Sequence, residues 1–147
     1  MNRFTTAIFT ALILSGCSAE VSAAAPAHAT QGLKIQVKGI RGTEGNVVVA
    51  IYDNKQAFDQ HGAPLAWVSV PAQSQTITLA EFPAQEIAIA AFHDTNRNGE
   101  YDVQGDVPLE GWGNSGNISQ WSEPTFEAAL IDVNNASVVP VHMHYYR

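Results

Sequence analysis

From residue 32 onward, apolar and polar residues alternate along short segments, the pattern of half-buried β-strands. In the first segment, for example, Leu33, Ile35 and Val37 alternate with polar neighbours. The pattern predicts seven strands, at residues 33–38, 47–52, 65–70, 76–82, 86–93, 126–133 and 137–146. No segment carries a sustained helical period, although residues 56–62 could form a single helical turn.

Seven short strands within one stretch of chain predict an all-β domain, and more specifically a seven-stranded Greek-key β-sandwich. The length of 147 residues allows one domain of this kind and makes two full domains improbable. We therefore assign residues 32–147 to a single β-sandwich domain, which is large enough to bury its own core.

The first 16 residues predict a bacterial lipoprotein signal peptide. A positive start is followed by an apolar run over residues 4–14, which is too short to span a membrane. The run ends at Leu14-Ser15-Gly16-Cys17, which resembles the lipobox, where the cysteine is lipidated and becomes the first mature residue. The alternative is ordinary signal cleavage in the Ala-rich stretch 21–30.

Under the lipobox interpretation, residues 17–31 are a flexible tether and Cys17 is the lipid attachment point. Cys17 is the single cysteine of the chain, so an intramolecular disulfide and a Cys-cluster metal site are both excluded. With Ser18 in the second mature position, we expect a cell-envelope protein anchored in the outer membrane and facing the periplasm.

The charge of the chain is low and unbalanced. Its 14 acidic residues and 7 Lys and Arg residues give a net charge of −7, which argues against a nucleic-acid partner. Residues 94–110 hold five acidic residues and one arginine, so this short segment has a net charge of −4, more than half of the net charge of −7.

That segment opens residues 94–124, a stretch between two predicted strands that is too long for an ordinary connection. Oxygen-bearing side chains fall at positions 1, 3, 5 and 9 of its first turn: Asp94, Asn96, Asn98 and Asp102. Gly99 stands at position 6, where calcium loops need a sharp reversal, and Glu100 at position 7 would offer its backbone carbonyl. This spacing predicts a Ca²⁺ site that orders the loop.

The calcium pattern departs from an EF-hand at position 12, where Gly105 replaces the bidentate glutamate. Asp106 and Glu110 are the two candidates to complete the coordination sphere, and the sequence does not choose between them. A turn rich in Asn and Gly that binds no ion is the alternative.

The central motif resembles a bacterial family catalogued as domain of unknown function 2141. The residues that carry the resemblance are His93, Asp94, Asn96, Asn98, Gly99, Asp102, Pro108, Glu110, Gly111 and Gly113. The flanking segments 45–53 and 124–128 are also similar to that family. The resemblance implies an exported β-sandwich, immunoglobulin-like or transthyretin-like, and implies no established activity.

Two further sets of side chains could carry chemistry. His142 and His144 share one face of the last predicted strand, and with His93 they could bind Zn²⁺ or Cu²⁺. Trp112 and Trp121 could stack on sugar rings, although we expect them to pin the loop to the sandwich. Ser115 lacks the turn motif of a hydrolase nucleophile.

The sequence therefore predicts an envelope-anchored, non-catalytic binding or structural module with a Ca²⁺-ordered loop. Its expected partners are the membrane, through the lipid anchor, and a protein or carbohydrate ligand of unknown identity. The alternative is a His-based protein that handles Zn²⁺ or Cu²⁺, or a metalloenzyme that uses the same histidines.

Overall fold

The computed structural model describes residues 31–82, 86–136 and 138–146. Within these ranges the chain forms ten strands and two short helices. The strands are β1 (Gln31–Lys38), β2 (Asn46–Tyr52), β3 (Ala66–Pro71), β4 (Thr76–Phe82), β5 (Glu86–Asp94), β6 (Val103–Gln104), β7 (Val107–Pro108), β8 (Gly111–Asn114), β9 (Ile131–Asp132) and β10 (Val139–His142). The helices are α1 (Lys55–Asp59) and α2 (Phe126–Ala129).

The longer strands form two sheets. One has three strands in the order β10-β1-β4, with β10 parallel and β4 antiparallel to β1. The other has the antiparallel order β3-β2-β5-β8, and β9 pairs with the beginning of β5. The short strands β6 and β7 form a separate hairpin.

The two sheets share one hydrophobic core. The three-stranded sheet contributes Leu33, Ile35, Val37, Ile77, Val139 and Val141. The five-stranded sheet contributes Val47, Val49, Ile51, Ile87, Ile89 and Ala91. Since burial of apolar surface is the main force that holds two such layers together, the fold is all-β and sandwich-like.

A second, smaller cluster covers the outer face of the five-stranded sheet. Its buried members are Ala50, Tyr52, Phe58, Ala88 and Ala129, which come from β2, β5 and the two helices. The helices are joined by Lys55, whose ammonium lies 2.6 Å from Asp59 and 2.9 Å from Glu127. The two helices cover the outer face around Ala50 and Tyr52, and all residues of β2 from Val47 to Tyr52 are buried.

Most of the predicted elements are confirmed, and one strand is wrong. Strands β1 to β5 lie where the alternation predicts them, and α1 occupies the predicted helical turn. Residues 126–133 instead form α2 and the two-residue β9. Thr125 caps this helix by accepting a hydrogen bond from the Ala128 amide, while Asp59 accepts one from the Phe126 amide. These caps satisfy amides that a strand would have paired with a neighbour.

The predicted long connection between strands is also partly regular. Residues 94–124 contain β6, β7 and β8, and β8 pairs with β5 from Ala90 to His93. The backbone of Trp112 also forms an antiparallel bridge with His144, so the C-terminal segment pairs with β8 at this point. A side chain at Gly111 would collide with the Tyr145 ring, which explains why a glycine stands next to this bridge.

Candidate functional site

The acidic turn, which we define as residues 94–102, begins at Asp94, the last residue of β5. Asp94 is 2% exposed, and its carboxylate accepts hydrogen bonds from the backbone amides of Asn98, at 3.0 Å, and Gly99, at 2.9 Å. Gly99 has a φ of 78°, in the left-handed region that glycine adopts without strain. The sharp reversal predicted at position 6 is therefore present, and Asp94 closes it from the inside.

Three further predicted ligands meet beside this turn. The side-chain amide of Asn96 donates to an Asp102 carboxylate oxygen at 2.6 Å, and that of Asn98 lies 3.2 Å from both Asp102 oxygens. The amide oxygens of Asn96 and Asn98 accept from the backbone amides of Asn98 and Glu100. The spacing in sequence thus brings Asn96, Asn98 and Asp102 together, while the Glu100 side chain is exposed.

The Glu110 side chain is buried beside the acidic turn and is hydrogen-bonded to both of its ends. It is 3% exposed; its carboxylate accepts from the Thr95 amide at 2.9 Å and from the Asp102 amide at 3.3 Å. Burial, together with the negative charge of Glu110, raises the pKa of Tyr101 to about 12. Glu110 therefore ties the start of the turn to its end.

Asp106 has a different setting from Glu110. It lies in the two-residue turn between β6 and β7, where it is exposed and forms no hydrogen bond with the described residues. Of the two candidates for the last position of the coordination sphere, only Glu110 is joined by hydrogen bonds to the turn.

The oxygen atoms around the turn are of the kind that Ca²⁺ prefers, since carboxylates, side-chain amides and backbone carbonyls are all hard ligands. Within the described residues, no group of three or more His, Cys, Asp and Glu side chains is placed to hold a metal ion. An ion held here would therefore use amide and backbone oxygens in addition to Asp94 and Asp102.

The three histidines are divided between two environments. His93 is 1% exposed, and both ring nitrogens are hydrogen-bonded, Nδ1 to the Tyr145 hydroxyl at 2.9 Å and Nε2 to the Glu44 carbonyl at 2.8 Å. Its side chain lies on the core face of β5. His142 and His144 alternate with the buried Val141 and Met143, and so face away from the core. The structure does not bring the three imidazoles together.

Tyr145, which no sequence motif marks as a site residue, completes this buried network. Its hydroxyl accepts a hydrogen bond from the Arg41 amide at 3.0 Å, and the Arg41 guanidinium lies 4.8 Å from the centre of its ring. Because a carbonyl can only accept, His93 Nε2 donates its proton to the Glu44 carbonyl, while Nδ1 shares a hydrogen bond with the Tyr145 hydroxyl. Only the folded chain reveals this network, because the residues are far apart in sequence.

The two tryptophans differ in their contacts. Trp112 is half-buried on β8, with its ring centre 6.2 Å from that of His144. Trp121 is 80% exposed, so the expectation that it pins the loop is wrong. Ser115 is fully buried: its hydroxyl donates to the Ala129 carbonyl and accepts from the Ile89 amide, which gives it a structural role.

The predicted signal peptide and Cys17 lie outside the described residues, as does the tether apart from Gln31, which begins β1. In the described ranges, no helix is long and apolar enough to cross a membrane.

Comparison with known proteins gives one match. No curated protein and no solved structure matches the chain. A family model with the description "Uncharacterized protein conserved in bacteria (DUF2141)" matches residues 35–140, which include the whole acidic turn and both sheets apart from the start of β1 and the end of β10. The chain therefore belongs to the DUF2141 family of bacterial proteins.

Proposed function

We propose that this protein is a non-catalytic binding or structural module of the cell envelope whose acidic turn is ordered by Ca²⁺. The observation that supports it is the convergence of the Asn96 and Asn98 side chains on the Asp102 carboxylate, beside the buried carboxylate of Asp94. A divalent cation would offset the mutual repulsion of these acids and accept the amide oxygens as further ligands.

The proposal includes the finer assignments that rest on the sequence. The protein is anchored by lipid at Cys17, faces the periplasm from the outer membrane and binds a protein or carbohydrate ligand rather than nucleic acid. Its sandwich is a Greek key, immunoglobulin-like or transthyretin-like. The alternative, a Zn²⁺ or Cu²⁺ site built from the three histidines, has less support because both ring nitrogens of His93 already have partners.

Calcium is expected to raise the melting temperature of the full chain. An ion that binds only the folded state stabilises it by about 1.4 kcal/mol at ten times its Kd, which corresponds to a rise of several degrees. The measurement is a thermal melt in 10 mM CaCl₂ against 10 mM MgCl₂ and against chelator. Asp102→Asn keeps the shape of the side chain and removes its charge, so it should abolish the rise. An unchanged melting temperature in CaCl₂, or an equal rise in Asp102→Asn, would refute the calcium proposal.

The lipid anchor makes a separate prediction. In bacteria that express the full chain, the protein should sediment with the membranes, and Cys17→Ser should move most of it to the soluble fraction. The physical reason is that a thioether-linked lipid buries many methylene groups in the bilayer. The measurement is immunoblotting of fractionated cells, with Ser18→Ala as the control. Equal membrane partitioning of Cys17→Ser and the parent chain would contradict the anchor.

A further inference from the structure

A small cavity lies where the outer face of the five-stranded sheet meets α1 and residues 123–124. Its volume is about 100 Å³, and it lies apart from the acidic turn. Five polar side chains line it: Tyr52, Asp59, His61, Asn114 and Glu123. None of them belongs to the sites predicted from the sequence.

Tyr52 is the most informative of these residues. It is 8% exposed, and its ring packs edge-on against Phe58 with the ring centres 5.4 Å apart. Its hydroxyl forms no hydrogen bond with the part of the chain that the structure describes. In that part, no fully buried side-chain nitrogen or oxygen lacks a partner, so the Tyr52 hydroxyl keeps some exposed surface, and Tyr52 lines the cavity. A hydroxyl on a mostly buried residue that has no protein partner can take its hydrogen bond from water or from a ligand.

The other polar groups divide into one that is already paired and three that are not. Asp59 accepts from Lys55 at 2.6 Å and from the Phe126 amide at 3.0 Å. The side chains of His61, Asn114 and Glu123 form no hydrogen bonds with the described residues. Burial raises the pKa of Tyr52, so its phenol stays protonated at neutral pH and can donate as well as accept. The cavity therefore presents both donors and acceptors, which suits a ligand with several hydroxyl groups better than a lone ion.

The surroundings of the cavity add an aromatic surface. Strand register aligns Trp67, Ala50, Ala90 and Asn114 in one row across the outer face of the sheet. Phe92, two residues along β5 from Ala90, lies on the same face with its ring centre 5.9 Å from that of Trp67. Trp67 is 52% exposed and Phe92 is half-buried, whereas Ala50 is 4% exposed, so the accessible aromatic surface is that of Trp67 and Phe92. The C–H face of a sugar ring can pack on such aromatic rings.

We propose that this cavity binds one ring of a neutral saccharide, with the Tyr52 hydroxyl, the Asn114 amide and the Glu123 carboxylate as its hydrogen-bonding partners. The cavity is smaller than the pockets that enclose whole drug-sized ligands, so a terminal sugar enters it and the rest of a longer glycan lies over the exposed aromatic surface. This proposal rests on the proposed binding function and names the class of ligand that is bound. It does not depend on the Ca²⁺ site.

The test is direct binding to the full chain, purified in a detergent that carries no sugar headgroup. The probes are glucose, galactose, mannose and N-acetylglucosamine, with choline as a cationic probe, and the readouts are tryptophan fluorescence and saturation-transfer NMR. At least one of the four sugars should bind with a Kd of about 1 mM or lower. No sugar binding below 10 mM, or binding of choline alone, would overturn the proposal.

Variants identify the site. Tyr52→Phe keeps the ring against Phe58 and removes only the hydroxyl, so it should weaken sugar binding about tenfold. Tyr146→Phe removes a hydroxyl at a different cavity and should leave the affinity unchanged. Equal affinities of Tyr52→Phe and the parent chain would refute the assignment.

The same experiment separates the two proposals. Sugar binding should persist in chelator and in Asp102→Asn, since none of its residues belongs to the acidic turn. Sugar binding that persists without any calcium effect on the melting temperature would contradict the calcium proposal alone. A calcium effect without any sugar binding would contradict the saccharide proposal alone.

Discussion

Gly45→Ala is expected to destabilise the domain by about 3 kcal/mol, the largest effect that we predict for a single methyl group. Gly45 has a φ of 75°, and a Cβ built on it would lie 2.2 Å from the Asp94 carbonyl oxygen and 2.6 Å from Thr95 Cα. These are backbone atoms at the mouth of the acidic turn, so they cannot rotate away as a flexible side chain would. The methyl group must therefore push apart the turn before β2 and the end of β5.

Gly42→Ala is the matched control. Gly42 has a φ of 84°, similar to that of Gly45, but nothing lies within 4 Å of its ideal Cβ position. Gly42→Ala should lower the free energy of unfolding by only about 1 kcal/mol, which is the cost of placing an L-residue in the left-handed region. Urea unfolding of both variants, compared at equal m-values, measures the difference. Equal losses would mean that the close approach at Asp94 has no energetic consequence.

Glu110→Gln should destabilise the domain by about 2 kcal/mol. The Glu110 carboxylate accepts from the amides of Thr95 and Asp102 through different oxygens. Glutamine keeps one acceptor oxygen and turns an NH₂ group toward the other amide, so two donors face each other in a buried position. The expected result is a lower midpoint of urea unfolding and faster hydrogen exchange at the Thr95 and Asp102 amides.

Asp106→Asn is the control for that experiment, since Asp106 is exposed at the hairpin turn and has no hydrogen bond among the described residues. Its free energy of unfolding should stay within about 0.5 kcal/mol of the parent value. Calcium titrations of both variants then address the question that the sequence left open. A loss of calcium response in Asp106→Asn with a normal response in Glu110→Gln would show that the hairpin acid completes the site. If Glu110→Gln and Asp106→Asn had equal free energies of unfolding, the result would contradict a stabilising role for the Glu110 hydrogen bonds.

The core strands were predictable because a half-buried strand imposes a period of two on its own sequence. Leu33, Ile35 and Val37 show this period without any knowledge of their partners, and β1 lies where it predicts. Residues 126–133 show why the rule fails. A four-residue helix is too short to show a helical period, and one of its caps, the Asp59 carboxylate, is 67 residues away in the chain.

Some features of the acidic turn were likewise predictable from the sequence and others were not. Its own contacts fall within nine residues, and their hydrogen bonds hold Asp94, Asn96, Asn98 and Asp102 in one local loop. That these side chains bind Ca²⁺ stays a prediction. The sequence could not show which of Glu110 and Asp106 is hydrogen-bonded to the turn, because this depends on how β8 returns to pair with β5. The separation of His93 from His142 and His144 likewise depends on which face of each strand meets the core.

By itself, the sequence determined the all-β class, the positions of the main strands, the family and the local geometry of the acidic turn. Each of these follows from contacts between near neighbours in the chain or from a pattern that burial imposes on one strand. Only the tertiary structure decided the shared core of the two sheets, the buried brace at Glu110, the network of His93 and Tyr145, and the cavity at Tyr52. The physical reason is that each of these joins residues that are distant in the chain, and their approach is set by packing of whole layers rather than by local preference.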